Sequence, residues 1–259
     1  MKASMDKYIT LTKIYLKEYR VHKVSVFFKL VELPLQLILY LFLWKFIART
    51  SPVDYSYMVL YYLLTGLLSL SYPFLSIALD IQDDILEGGI ANALVRPYIY
   101  VMPYFCKYIA WMCIYSVVYI PVVLYLLVFH NITLIQVLLF VVSSALGMLI
   151  EFLTWFAIGL LSFYFGRIRG AVRIIAAVKA IVSGSLIPLS LMPVSLQTLT
   201  KLFPFRFFTY IPVSNLLEAA KVSASLLSIA SALLWIGALS ALSCLLWYYE
   251  KRNLQASIS

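Results

Sequence analysis

Acidic residues and the sequence motifs of catalysis are scarce in this chain. It has 11 Asp and Glu among 259 residues, and GxxxxGK(S/T), HExxH and GxSxG do not occur. The two histidines, His22 and His130, lie at the boundaries of apolar runs. The residues for ATP hydrolysis, metal catalysis or serine catalysis are therefore missing. We expect no enzyme activity, no cofactor and no metal in this chain.

Cysteine is also rare, and its spacing excludes two further classes. Cys106, Cys113 and Cys244 have neither the even number of a disulfide framework nor the CxxC spacing of a metal site. We expect them to be packing residues. The basic N-terminus is not followed by a short apolar core with a small-residue cleavage site, so we expect no removable signal peptide.

Apolar residues dominate what is present. The chain is 64% hydrophobic and 12% charged, and its apolar residues form runs long enough to cross a membrane. About 20 apolar residues span roughly 30 Å of hydrocarbon as a helix, and the alternating pattern of a membrane β-barrel is missing. The sequence therefore predicts an all-α, polytopic membrane protein.

The runs predict a single transmembrane domain over residues 1–259. An amphipathic helix that lies on the membrane surface is expected within 1–23, followed by two spans within 24–79, a cytoplasmic segment at 80–97, and the remaining spans within 98–259. A proline-rich region at 183–213 is too interrupted for a span and too apolar for a free loop, so we expect it to re-enter the membrane from outside. The six predicted spans cover residues 24–48, 55–79, 104–129, 133–165, 171–191 and 226–247.

Positive charge sets the predicted orientation. Most of the 20 Lys and Arg, which give a net charge of +9, lie at one set of span ends, as anionic lipid and the positive-inside rule require. We therefore expect membrane lipids rather than nucleic acid as partners. Both termini and the acidic segment 80–97 are predicted to be cytoplasmic, in a multi-pass protein of the plasma membrane.

The segment 80–97 is a helix-compatible, acidic stretch between two spans, ended by glycine and proline. It could dock a cytoplasmic protein and transmit a push, or it could be an ordinary polar loop, and the residues alone favour neither. The candidate docking residues are Asp80, Ile81, Asp83, Asp84, Glu87, Gly88, Arg96 and Pro97.

Four motifs in order resemble the permeases of the type-two ABC exporter (ABC-2) family. They are DDILEGGIANALVRP after the second span, IGLLSFYF at 158–165, SGSLIPLSLMP at 183–193 and FPFRFFTYIP at 203–212. The resemblance implies a permease that pairs with a second copy or a sister permease. It also implies that segment 80–97 binds two copies of a cytoplasmic ABC ATPase, which carry the ATP and Mg²⁺.

The resemblance also implies that the proline-rich region closes a pathway along the dimer interface. An interfacial anchor is an equally good interpretation of any single residue there. The candidate gate residues are Gly184, Pro188, Pro193, Pro204 and Phe205.

Glu151 lies inside an apolar run, where an ionised carboxylate must be paired, protonated or hydrated. It could serve a substrate path or proton relay, or it could bond internally to Lys179 or to nearby hydroxyls. Counted at 1.5 Å per residue from the break at 166–170, Glu151 lies roughly 20 Å and Lys179 about 13 Å deep. We therefore expect a stretched ion pair.

Together these observations predict the transmembrane subunit of an ATP-driven exporter. Its substrate would be hydrophobic or amphipathic, such as a drug, an antimicrobial peptide, a lipid or a glycan precursor. Two other classes remain open: an ion- or proton-coupled secondary transporter that uses Glu151, and a membrane scaffold that transports nothing.

Overall fold

The computed structural model describes residues 2–21, 23–50, 52–71, 74–89, 99–129, 132–218 and 222–258. The predicted docking residues Arg96 and Pro97 lie outside these ranges. Within them the chain is helical and contains no strand. The all-α prediction is therefore confirmed for the described part of the chain.

Five helices lie in the described part of the chain's first half. They are α1 (Lys2–Val21), α2 (Lys23–Ile47), α3 (Tyr55–Ser71), α4 (Phe74–Leu86) and α5 (Val101–Phe129). Helix α1 packs along α5, where the Cys106 thiol lies 3.6 Å from the carbonyl oxygen of Tyr8. The predicted apolar side of α1 is half-buried at Tyr8 and Leu16, whereas Lys13 is exposed. Its position at a membrane surface stays a prediction.

The described part of the second half contains two long helices and several short ones. They are α6 (Leu134–Leu160), α7 (Ser162–Phe165), α8 (Arg169–Val182), α9 (Val194–Thr200), α10 (Tyr210–Leu217) and α11 (Val222–Ile258), with 3-10 helices at Leu189–Leu191 and Pro204–Phe207. Helix α6 packs against α4, α10 and α11 and contributes much of the buried core. A Thr133–Gln136 capping box begins it.

Four stretches of the described chain are long and apolar enough to cross a membrane. They are Leu30–Ile47, Val101–Leu126, Leu134–Phe165 and Ser223–Lys251, and they correspond to the predicted first, third, fourth and sixth spans. Helix α8, predicted as part of a span at 171–191, has 14 residues and a length of about 21 Å. That is less than the roughly 30 Å of a bilayer core.

The predicted second span, 55–79, covers α3 and the start of α4. Helix α3 ends at Ser71 and α4 begins at Phe74, and residues 72–73 lie outside the described ranges. Asp80, Asp83 and Asp84 belong to α4, whose first half is apolar.

Prolines lie at the start of three of the four short helices of residues 183–217, here called the proline-rich segment. Pro188 and Pro193 directly precede the first 3-10 helix and α9, and Pro204 is the first residue of the second 3-10 helix. These are positions where a fixed φ and a missing N–H cost little. The segment packs on α3 and α6.

Two tyrosine hydroxyls of α3 hold the start of this segment. Tyr61 donates to the carbonyl oxygen of Gly184 at 2.7 Å, and Tyr62 donates to that of Leu186 at 2.6 Å. Gly184 has φ +83, a conformation that favours glycine. These bonds fix the end of α8 to α3.

We expect Tyr61→Phe to lower the stability of the protein by about 1–3 kcal/mol, because the Gly184 carbonyl would lose its buried donor. Thermal unfolding in detergent measures the change. Tyr115→Phe is the matched control, since the Tyr115 hydroxyl is buried without a hydrogen-bond partner among the described residues. Equal unfolding temperatures for the two variants would contradict the role of Tyr61.

Candidate functional site

Helix α4 presents a buried stripe to the protein and leaves its C-terminal tip exposed. Ile77, Ala78 and Ile81 are buried at the three- and four-residue spacing of one helix face. The helix ends at Leu86, and Gly88 just after it has a φ of +75, in the left-handed region common after helices. Leu86, with 48% of its surface exposed, and Glu87 lie at this tip.

Ile81 packs α4 against α6 at a glycine. It is fully buried, and a β-carbon on Gly159 would lie 2.8 Å from Ile81 Cδ1. Any side chain at position 159 would push α4 away. Ile81, which the sequence assigned to docking, therefore lies in the interior and not on the surface that a partner would contact.

Three of the α4 carboxylates are bound within the chain. Lys107 Nζ lies 2.7 Å from Asp80 Oδ2, Arg169 Nη2 lies 3.6 Å from Asp83 Oδ1, and the Tyr104 hydroxyl donates to Asp84. Burial raises the pKa of Asp80, and the Lys107 ammonium opposes that shift. Glu87 has no ion pair with any residue that the structure describes.

Gln82 connects α4 to the start of α8. It is 1% exposed; its Oε1 accepts a hydrogen bond from the Ile168 N–H at 2.8 Å, and its Nε2 donates to Asp83 Oδ1 at 2.9 Å. The Ile168 N–H directly precedes α8, which has no side-chain cap of its own. The sequence analysis assigned no role to Gln82.

The strengths of the two α4–α8 contacts differ. The Asp83 and Arg169 side chains are 45% and 64% exposed, and exposed pairs contribute about 0–1 kcal/mol. Loss of a buried acceptor costs about 1–3 kcal/mol. Gln82 is therefore the stronger of the two connections.

An aromatic cluster joins the end of the chain to this junction. The Tyr100 hydroxyl donates to the Tyr104 oxygen at 3.0 Å, because the Tyr104 proton goes to Asp84, and the Tyr100 ring stacks on Trp247 of α11 with centroids 4.2 Å apart. Burial raises the pKa of Tyr100, so its hydroxyl stays neutral. Helices α4, α5 and α11 therefore meet around Tyr104, a residue that the sequence analysis did not single out.

Glu151 forms a buried ion pair with Lys179. Its Oε1 accepts from Lys179 Nζ and, at 3.3 Å, from Trp155 Nε1, and Glu151 is fully buried. The Lys179 ammonium also lies 5.1 Å from the centroid of the Phe208 ring. Of the two interpretations, the structure shows the internal pair with Lys179.

The expected stretching of this pair is wrong. Helix α6 ends at Leu160 and α8 begins at Arg169, so residues 161–168 connect the helices, although part of them was counted as depth. Counted from the helix ends, Glu151 and Lys179 lie about 13.5 Å and about 15 Å deep. The two side chains are therefore at matching levels.

The predicted gate residues all fall in the proline-rich segment. The Phe205 ring stacks on Phe203 with centroids 6.0 Å apart and meets Phe208 edge to face at 5.7 Å. The carbonyl oxygen of Phe207 lies directly against Gly147 of α6. The prolines start short helices, while the aromatic rings attach the segment to the core.

The fold and this junction define a helical membrane protein in which an acidic helix connects apolar helices. Residues 30–257 match the family described as ABC-2 family transporter protein. The chain belongs to this family and is thus a membrane component of an ABC transporter, which implies an ABC ATPase as partner. Members of the family are generally non-catalytic. No curated protein matches this chain.

Proposed function

We propose that this chain is the permease subunit of an ATP-driven exporter, and that its ATPase docks on the tip of α4. The proposal rests on a difference within α4: its three aspartates are bound to neighbouring helices, whereas its C-terminal end is exposed. Leu86 and Glu87 are exposed, whereas Asp80, Asp83 and Asp84 are bound to α5 and α8. A partner at the tip would therefore push on both elements.

The remaining parts of the proposal follow from orientation and family. Two ATPase copies act on a pair of permeases, this chain with a second copy or a sister chain, in the plasma membrane with both termini cytoplasmic. The proline-rich segment is a re-entrant lid on the outer side. The apolar interior suits a hydrophobic or amphipathic substrate, which moves outward.

The contacts of Glu151 argue against the alternative of an ion- or proton-coupled transporter. A proton-coupling carboxylate must gain and release a proton during the cycle. Glu151 is bound to a lysine and an indole N–H and is fully buried, which favours a fixed structural pair.

The test of docking is charge reversal at the exposed tip. We expect Glu87→Lys to reduce co-purification with the ATPase at least tenfold, because a misplaced charge at an interface costs on the order of the 1.4 kcal/mol that a tenfold change requires. Abundance in the membrane fraction should not change, since Glu87 lacks an ion pair among the described residues. Affinity capture of the complex from nanodiscs gives the measurement.

Glu18→Lys provides the matched control, because Glu18 is an exposed carboxylate of α1 on the same predicted side of the membrane. Equal ATPase capture by the two variants would refute docking at α4. Charge reversal at Asp83 and Asp84 is a less specific test of docking, since it also breaks the contacts with Arg169 and Tyr104.

A further inference from the structure

We propose that α8 is a connecting rod that carries a displacement of α4 to the proline-rich segment. The inference rests on the proposed function, because it takes α4 as the helix that the ATPase moves. It assigns a positioning role to Gln82, which holds one end of the rod. It assigns the other end to the pair of Lys179 and Glu151.

The first end of the rod is attached to α4. Gln82 Oε1 accepts from the Ile168 N–H at 2.8 Å, and Arg169 lies 3.6 Å from Asp83. Both contacts act on the residues that begin α8. The Gln82 contact is buried, so water does not compete for that hydrogen bond.

The second end is attached to the core and to the proline-rich segment. Lys179 is bound to Glu151 of α6 and lies over the Phe208 ring. Directly after the helix, the Ser183 carbonyl oxygen accepts from the Tyr210 N–H at 3.1 Å, and that of Gly184 accepts from Tyr61. Movement of α8 along its axis would therefore reach both α10 and α3.

Between its ends, α8 packs one face on the core and leaves the other exposed. Val172 and Lys179 are buried, and Ile175 and Ala176 are partly buried against the core, whereas Val178 is exposed. An α-helix of 14 residues is about 21 Å long and has a continuous hydrogen-bond ladder. The helix can therefore carry a displacement along its axis from one end to the other.

The test places an environment-sensitive fluorophore on the proline-rich segment. Leu202, which is 68% exposed, is replaced by cysteine in a background where the three native cysteines are serine. The full complex with its ATPase is placed in nanodiscs, and ATP with vanadate traps the nucleotide. We expect a nucleotide-dependent change in emission for the parent.

Gln82→Leu keeps the size of the side chain and removes the acceptor. We expect it to reduce the emission change at least fivefold, while ATPase capture and trapped nucleotide remain at the parent level. Arg173→Gln, which removes an exposed charge of α8 without affecting its contacts with α4, is the control and should stay within twofold of the parent.

Three results would contradict the proposal that α8 is a connecting rod. They are a parent-level emission change in Gln82→Leu, an equal loss in Arg173→Gln, or no emission change in a parent that binds its ATPase and traps nucleotide. Failure of the parent to bind any ABC ATPase would instead refute the proposed function.

Hydrogen exchange on the unsubstituted complex gives a second measurement that does not depend on the folding of a variant. The rod predicts that trapped nucleotide changes amide protection both at 168–172 and at 183–186. A change confined to 168–172 would contradict it.

Discussion

Gly147→Ala is expected to lower the thermal unfolding temperature of this protein by about 5 °C or more. A β-carbon at position 147 would lie 2.2 Å from the carbonyl oxygen of Phe207 and 3.1 Å from its carbonyl carbon. Both are backbone atoms, so rotation of a side chain cannot relieve the clash. The proline-rich segment would have to move away from α6. Overpacking that forces the backbone to shift costs about 1–3 kcal/mol, and occasionally more.

Gly237→Ala is the control for this experiment. Gly237 also lies inside a long helix, but a β-carbon there would meet nothing within 4 Å. Alanine favours helix by up to about 1 kcal/mol over glycine, so this variant should match or exceed the parent. Tryptophan fluorescence during heating in detergent reports both variants. Equal stability of the two would contradict the close approach of Phe207 to α6.

Neutralising Glu151 alone is expected to cost about 3–5 kcal/mol of stability, because Glu151→Gln leaves the buried Lys179 ammonium without its carboxylate. The double variant Glu151→Gln/Lys179→Met should recover most of that loss, since no buried charge remains. A double-mutant cycle of unfolding free energies gives the coupling between the two residues.

Glu18→Gln serves as the control, because Glu18 is exposed and its neutralisation should change stability by less than about 0.5 kcal/mol. A double variant no more stable than Glu151→Gln would contradict the pair. A double variant that folds and still transports like the parent would remove Glu151 as a coupling group for protons.

The helical class, the acidic helix and the role of the prolines could be predicted from the sequence. Apolar runs require helices in a bilayer, and proline favours the first turn of a helix, as at Pro204. The burial of Ile81 was also accessible, since Ile77, Ala78 and Ile81 share one face of a helix. The sequence analysis instead grouped Ile81 with the docking residues, because it lies among the acidic residues of the same segment.

The pairings between distant helices could not be predicted. Periodicity fixes which face of a helix is apolar, but it does not choose the neighbour on that face. Lys107 is 27 residues from Asp80, and Ile168 is 86 residues from Gln82. The Glu151–Lys179 pair was misjudged for a related reason, because a depth counted along the sequence depends on where each helix ends.

The central claim is that an ABC ATPase contacts the exposed tip of α4. The most direct test replaces Leu86 with a photo-cross-linking amino acid in cells and identifies the captured polypeptide by mass spectrometry. Ile14 of α1, which is 54% exposed, provides the control position. The account predicts capture of a protein with GxxxxGK(S/T) at position 86 and not at position 14. Capture of that protein equally at both positions, or of lipid alone at position 86, would contradict it.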